Sequence, residues 1–144
     1  YFLYNFFIIT PYHYTYLNFF NGKTENRYKK FENDYWASSL KELVKKINFD
    51  KSKNLKLALC GASQENTEFY LNKNGYLNYQ FVKQNEADYI IMTNRTVLIS
   101  GKLTEDSTNE NVKLINCFDR FKGKNVFQVD RNGLILSVMR KNTI

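Results

Sequence analysis

The strongest constraint in this chain is a strand, a glycine turn and a helix met in succession. Leu55 to Cys60 reads LKLALC, a short apolar run that opens into Gly61, Ala62 and Ser63 and then into a helical pattern from Glu65 to Asn74, which Gly75 stops. Two further short apolar runs follow, Tyr79 to Val82 and Asp88 to Met92. The second carries Tyr89, Ile90, Ile91 and Met92 in succession, as expected of a strand covered on both faces. Strand, helix, strand implies a βαβ unit with parallel pairing. At 144 residues the chain has room for one such domain and its core, but not for two independent ones.

Upstream, the apolar positions Trp36, Leu40, Leu43, Val44 and Ile47 line one face of a helix. Its start is marked by Asp34 as N-cap, or by Ser39 and Glu42 as a capping box one turn later; Lys45 and Lys46 suit its negative end. Downstream the chain turns to β patterns at Val97 to Ser100, Val112 to Cys117, Asn125 to Val129 and Leu134 to Arg140. Asn132-Gly133 between two apolar runs is a strong hairpin signal, so Val126–Val129 and Leu134–Val138 are expected to pair antiparallel. The polar stretch Thr104 to Asn111 reads as a loop. The fold class is therefore α/β: a single small domain over residues 1–144, with a mixed β-sheet, a βαβ unit, flanking helices and a C-terminal β-hairpin at one edge.

The first zone, Tyr1 to Tyr35, has a different character. Tyr1 to Ile9 reads YFLYNFFII, too short to span a bilayer, which takes about 20 residues, and it lacks the basic start and small-residue cleavage site of a signal peptide. Residues 1–10 read either as the end of a preceding membrane-spanning helix or as an ordinary buried strand or short helix. From Pro11 to Phe20 five aromatic rings and one imidazole, His13, fall within ten residues. Tyrosine at that density suits a bilayer interface, sugar stacking or the cover of a sheet edge. The basic stretch Lys23 to Lys30 follows, as charges follow interfacial aromatics in a chain leaving a bilayer, although basic residues beside a membrane helix more often mark the cytoplasmic side.

The charge balance is positive, +7 with a pI near 9.3, while the mean hydropathy of −0.53 is that of a water-soluble chain. Lysine outnumbers arginine 16 to 5, which argues against specific nucleic-acid recognition, where the bidentate guanidinium is favoured. Catalytic constellations are thin. Gly61 follows a buried strand and precedes a helix, but neither G-x-G-x-x-G nor the P-loop lysine is present, so a plain strand-to-helix turn is the simpler reading. Cys60 or Ser63 would need a base, and the single histidine lies in another zone. Glu32 with Asp34, and Asp119 with Asp130, read as solvated acids. No metal or cofactor is implied, since two cysteines and one histidine lack zinc-ligand spacing. Cys60 and Cys117 read as two small core side chains; a bridge between them would need an oxidising compartment and two adjacent strands.

Four segments taken in order resemble a known arrangement: PYHYTYLN at Pro11–Asn18, FENDYWASSLKEL at Phe31–Leu43, ADYIIMTNR at Ala87–Arg95 and VFQVDRNGLILSVMRK at Val126–Lys141. Together they are similar to the C-terminal extracytoplasmic domain of bacterial polytopic membrane glycosyltransferase-like proteins of the GT-C type, which use polyprenyl-phosphate-linked sugars. The resemblance covers nearly the whole chain and implies a periplasmic accessory domain of a membrane protein. The family's catalytic acids lie near its first membrane helices, so no catalytic residue is carried over. The positions that match are Pro11, Tyr12, Tyr14, Tyr16, Asn18, Asp34, Tyr35 and Trp36, with His13 where the family often has a polar residue such as glutamine. Tyr12, His13, Tyr14, Asn18, Asp34, Tyr35 and Trp36 are the candidate binding residues. The partners implied are the membrane and a lipid-linked sugar or glycan acceptor; nucleic acid is not expected. The competing expectation is a self-standing ligand-binding module with its site at the carboxyl ends of the parallel strands, near Gly61 and Thr93. A basic nucleic-acid-binding module comes third.

Overall fold

The computed structural model describes residues 3, 4, 7, 34, 37–100, 112–131 and 133–143. The chain enters the core at α1, Leu40–Lys46, and then lays down β1, Leu55–Cys60, α2, Gln64–Lys73, and β2, Tyr79–Phe81. β3 is Tyr89–Thr93, β4 Thr96–Ser100, β5 Val112–Asn116, α3 Cys117–Arg120, β6 Asn125–Arg131 and β7 Leu134–Lys141. Five strands form one mixed sheet in the order β2-β1-β3-β7-β6. β1 pairs parallel with both β2 and β3, and the β6–β7 hairpin joins antiparallel along β3. The βαβ unit and the terminal hairpin expected from the patterns are both present. β4 and β5 pair only with each other, as a separate two-stranded sheet, so the downstream strands do not all join one sheet.

The step from β2 to β3 is short for a crossover between parallel strands, which usually takes a dozen residues or more. Register explains it. Phe81 closes β2 opposite Leu57, and Tyr89 opens β3 opposite the same residue, so residues 82–88 need only cross one strand and never run back along it. Val82 N donates to Leu57 O at 2.9 Å and Asp88 N to Lys56 O at 2.9 Å, stitching the crossing to β1.

Period-two alternation divides the core between the faces of the sheet. Leu57, Ile91, Val129 and Met139 point to one face, where Leu40, Leu43 and Val44 of α1 and Leu71 of α2 close over them. Ala58, Cys60, Ile90, Met92 and Val138 point to the other, where the cover is only α3, through Cys117 and Phe118, with Phe121 just after it.

α1 is shorter than the apolar period suggests. Ala37 has φ +52, in the left-handed region, so the helix cannot run through Ala37 and starts at Leu40. Its N-cap position is Ser39, but the Ser39 side chain makes no cap bond. The cap comes from Asp34, whose carboxylate accepts Ser38 N at 2.8 Å, Ser39 N at 3.1 Å and the Ser39 hydroxyl. The capping box with Glu42 is not formed. Glu42 instead meets Arg131 at the hairpin end and Lys46, at 3.4 Å, one turn along.

Among the described residues no helix is long and apolar enough to cross a membrane. Leu3, Tyr4 and Phe7 have helical backbone and are 68%, 69% and 72% exposed.

Candidate functional site: the carboxyl end of the parallel strands

β1 ends at Cys60, and the next residue, Gly61, turns with φ +76. A Cβ here would lie 2.7 Å from Thr93 Oγ1, 2.8 Å from Arg95 Cβ and 3.2 Å from Cys117 Sγ, so only glycine fits both the backbone angle and the space. Ser63 then opens α2 in extended conformation, its hydroxyl accepting Asn66 N at 3.2 Å, while Thr67 Oγ1 donates to Ser63 O at 2.7 Å.

β3 reaches the same end. Thr93, fully buried, donates its hydroxyl to Gly61 O at 2.8 Å, and Asn94 N donates to Leu136 O at 2.9 Å. The chain then leaves the sheet for the β4–β5 hairpin and returns at Asn116. Asn116 Nδ2 donates to the buried Asn94 Oδ1 at 2.7 Å, Asn116 Oδ1 caps α3 by accepting Phe118 N at 2.9 Å, and Cys117 N donates to Arg95 O at 2.9 Å. This return brings Cys117 against the end of β1, where it forms a disulfide with Cys60 across a Cα–Cα distance of 5.7 Å. The expectation of two unbridged core cysteines is overturned. Val112–Cys117 lies in no strand beside β1, yet the Asn94–Asn116 and Arg95–Cys117 bonds fold the foot of the hairpin back over the sheet. Cys117 is also the first residue of a four-residue helix, not the last of a strand.

In an open α/β sheet this end is where a ligand crevice normally forms. Here it is filled: by the disulfide, by the Thr93–Gly61 and Asn116–Asn94 bonds, and by atoms packed to within 3 Å of where a Gly61 Cβ would be. Two concave surfaces among the described residues lie away from Gly61 and Thr93. One, of about 560 Å³, sits at the β2–β3 crossing beside Ala58, Val82, Lys83 and Phe121. Another, of about 480 Å³, lies along the β2 edge beside Ser52, Leu77 and Tyr79.

Of the candidate binding residues, Asp34 alone is described. It is 0% exposed, and its carboxylate is engaged in capping α1. Tyr12, His13, Tyr14, Asn18, Tyr35 and Trp36 lie outside the described residues, as do Glu32 and the basic stretch Lys23–Lys30. Asp119 sits exposed on α3, and Asp130 lies half-buried in the edge strand β6, where it accepts Gln128 Nε2 at 3.3 Å. Among the described residues no three His, Cys, Asp or Glu side chains gather as a metal site would require. Sequence reasoning missed the disulfide, the Asn94–Asn116 pair and α3. The sole available signal was that the chain has two cysteines, each at the end of an apolar run. In comparisons with protein-family models, curated proteins and solved structures, none matched this chain.

Proposed function

We propose that this chain is an extracytoplasmic accessory domain of a polytopic membrane protein resembling a lipid-linked-sugar glycosyltransferase, and that it presents a surface to membrane or glycan and leaves bond-making to the membrane part. The observation that carries the reading is the Cys60–Cys117 disulfide, with both residues almost wholly buried. Such bridges form and persist in oxidising compartments and are rare where thiol reductants hold cysteines reduced. Two further features support it. Leu3, Tyr4 and Phe7 leave three large apolar side chains exposed on helical backbone, which suits contact with lipid or with a neighbouring helix. Four sequence segments between Pro11 and Lys141, taken in chain order, resemble the GT-C type C-terminal domain. The alternative, a self-standing module with a ligand between Gly61 and Thr93, is weakened by the packing that fills that place.

The test is a topology reporter. Alkaline phosphatase, which folds only where disulfides form, and a green fluorescent protein, which fluoresces in the cytoplasm, are fused in turn after Ile144 of the full-length protein. The reading expects phosphatase activity without fluorescence; the reverse pattern would refute an extracytoplasmic domain. Purified chain is further expected to give no transfer from any polyprenyl-phosphate sugar. Turnover abolished by a substitution within residues 1–144 would contradict the accessory role.

A further inference from the structure

The β2–β3 crossing, which starts where β2 ends beside Ala58 and Leu59, differs from the filled place around Gly61 and Thr93. There the concave surface of about 560 Å³ is floored by Ala58, Leu59, Val82 and Phe121 and flanked by Lys83. Phe121 is followed by Lys122 and Lys124 and preceded by Arg120, whose guanidinium lies 5.1 Å over the Phe121 ring. Lys141 closes the rim: its N donates to Lys124 O at 3.1 Å, and a Cβ on Gly123 would lie 2.6 Å from Lys141 O, so the two segments touch. Asn142 then ties this corner to the crossing, donating Nδ2 to Gln84 O at 2.7 Å and to Ala87 O at 2.9 Å. Lys56, Lys83, Arg120, Lys122, Lys124 and Lys141 are all exposed, against the exposed acids Glu86, Asp88 and Asp119; six cations and three anions leave a local charge of +3.

The patch is held in shape from beneath. Arg140 Nη1 donates to Phe118 O at 3.0 Å and to Phe121 O, and its Nε donates to Asn125 Oδ1 at 2.8 Å, so this guanidinium fixes the loop that carries Lys122 and Lys124. The rim also lies at the opposite end of β6 and β7 from the Arg131–Leu134 turn, about 20 Å away along a strand of this length.

We propose that this lysine rim docks the domain on the phosphate headgroups of an anionic bilayer, with the Arg131–Leu134 turn pointing away from it. Charge complementarity selects the partner class. Five of the six cations are lysines, compact charges that serve a diffuse phosphate surface without the bidentate geometry of base or phosphodiester readers. A single-stranded nucleic acid would need aromatic faces for stacking, and among the described residues the rings at this corner, Phe118 and Phe121, are 8% and 7% exposed. The proposal rests on the membrane-associated reading above, but it is tested apart from topology.

The experiment is flotation of the 144-residue chain with vesicles of phosphatidylcholine alone or with phosphatidylglycerol added. Its arms are the unaltered chain, the triple variant Lys122→Gln, Lys124→Gln, Lys141→Gln, and a control triple, Lys41→Gln, Lys45→Gln, Lys53→Gln, which removes the same charge elsewhere. Thermal unfolding confirms that both variants fold. The rim variant is expected to bind phosphatidylglycerol vesicles on the order of 100-fold more weakly, at about fivefold per lysine near the surface, with the control much closer to the unaltered chain. Equal losses in the two triples would reduce the effect to net charge and overturn the proposal. So would equal binding to both vesicle types, or tighter binding to single-stranded RNA than to phosphatidylglycerol at the same salt. Any of these could occur while the phosphatase fusion still reports an extracytoplasmic domain.

Discussion

The two faces of the sheet are covered by different means. On one, α1 and α2 lay Leu40, Leu43, Val44 and Leu71 over Leu57, Ile91 and Met139, and apolar packing does the holding. On the other, the cover is one short helix and a crossing segment, anchored by the Cys60–Cys117 bond and a set of polar ties at the foot of the β4–β5 hairpin. A face that cannot bury enough apolar surface to hold its cover is held covalently. The thin face also carries the concave basic surface, because a sparse layer leaves room that a packed helical layer does not.

Removing the bridge gives the largest expected effect. The double variant Cys60→Ser, Cys117→Ser opens a loop of 57 residues, which the chain-entropy relation converts to a loss of about 4 kcal/mol in denaturant unfolding. Hydrogen exchange sharpens the comparison: α3 and the β4–β5 foot should lose protection first, with α1 and α2 retaining theirs. Uniform loss across both faces would mean that they unfold as one unit. Next is Leu43→Ala on the helical face, expected to cost about 3 kcal/mol, since Leu43 is fully buried and leaves a cavity. A loss under about 1 kcal/mol would mean that this layer is loosely packed and relaxes around the missing side chain.

Asp34→Ala follows, at about 2 kcal/mol, because it strands the Ser38 and Ser39 N–H groups at the start of α1. Read against ligand binding, the same variant separates a cap from a contact: a folded, destabilised protein with unaltered partner binding assigns Asp34 to the cap alone.

A smaller effect comes with alkaline pH. Burial raises the phenol of Tyr76, which donates to Ile47 O at 2.7 Å, above its ordinary 10.0, and burial with the nearby Glu68 charge raises that of Tyr79. In the window above pH 10 the folded chain therefore holds protons that the unfolded chain has lost, so stability falls as pH rises through it. Tyr76→Phe should flatten that decline in pH-dependent denaturant titrations. The smallest change is expected at Ser137, whose hydroxyl is buried without a partner opposite Thr93 in β7: Ser137→Ala should be neutral or stabilising by up to about 1 kcal/mol.

The helical face was legible in the chain. The spacing of Leu40, Leu43 and Val44, the LKLALC run and the two apolar runs either side of Asn132-Gly133 are local signals: the helix is present, though shorter than the period from Trp36 to Ile47 implies, and so are the strand and the antiparallel β6–β7 pair. The thin face was not legible because its determinants are non-local. Nothing near Cys117 reveals that Asn116 will meet Asn94, 22 residues back, and only that return places the two sulfurs together. The rim was hidden for the same reason: Lys83, Lys122 and Lys141 are scattered in sequence and meet only where β7 ends beside the β2–β3 crossing. Asp34 was legible as a cap but carried two meanings, and its burial shows the structural one.

The most direct test of the account is the redox state of Cys60 and Cys117 in the full-length protein as it sits in its own cells. Thiols are trapped with a small alkylating agent at lysis, disulfides are then reduced, and newly freed thiols receive a mass tag read on a gel, with Cys60→Ser and Cys117→Ser single variants to assign the bands. Reduction is expected to reveal two tags that are absent without it and that are both lost in either single variant. Free thiols at both positions in the native protein would contradict the bridge and, with it, the oxidising compartment on which the functional reading stands.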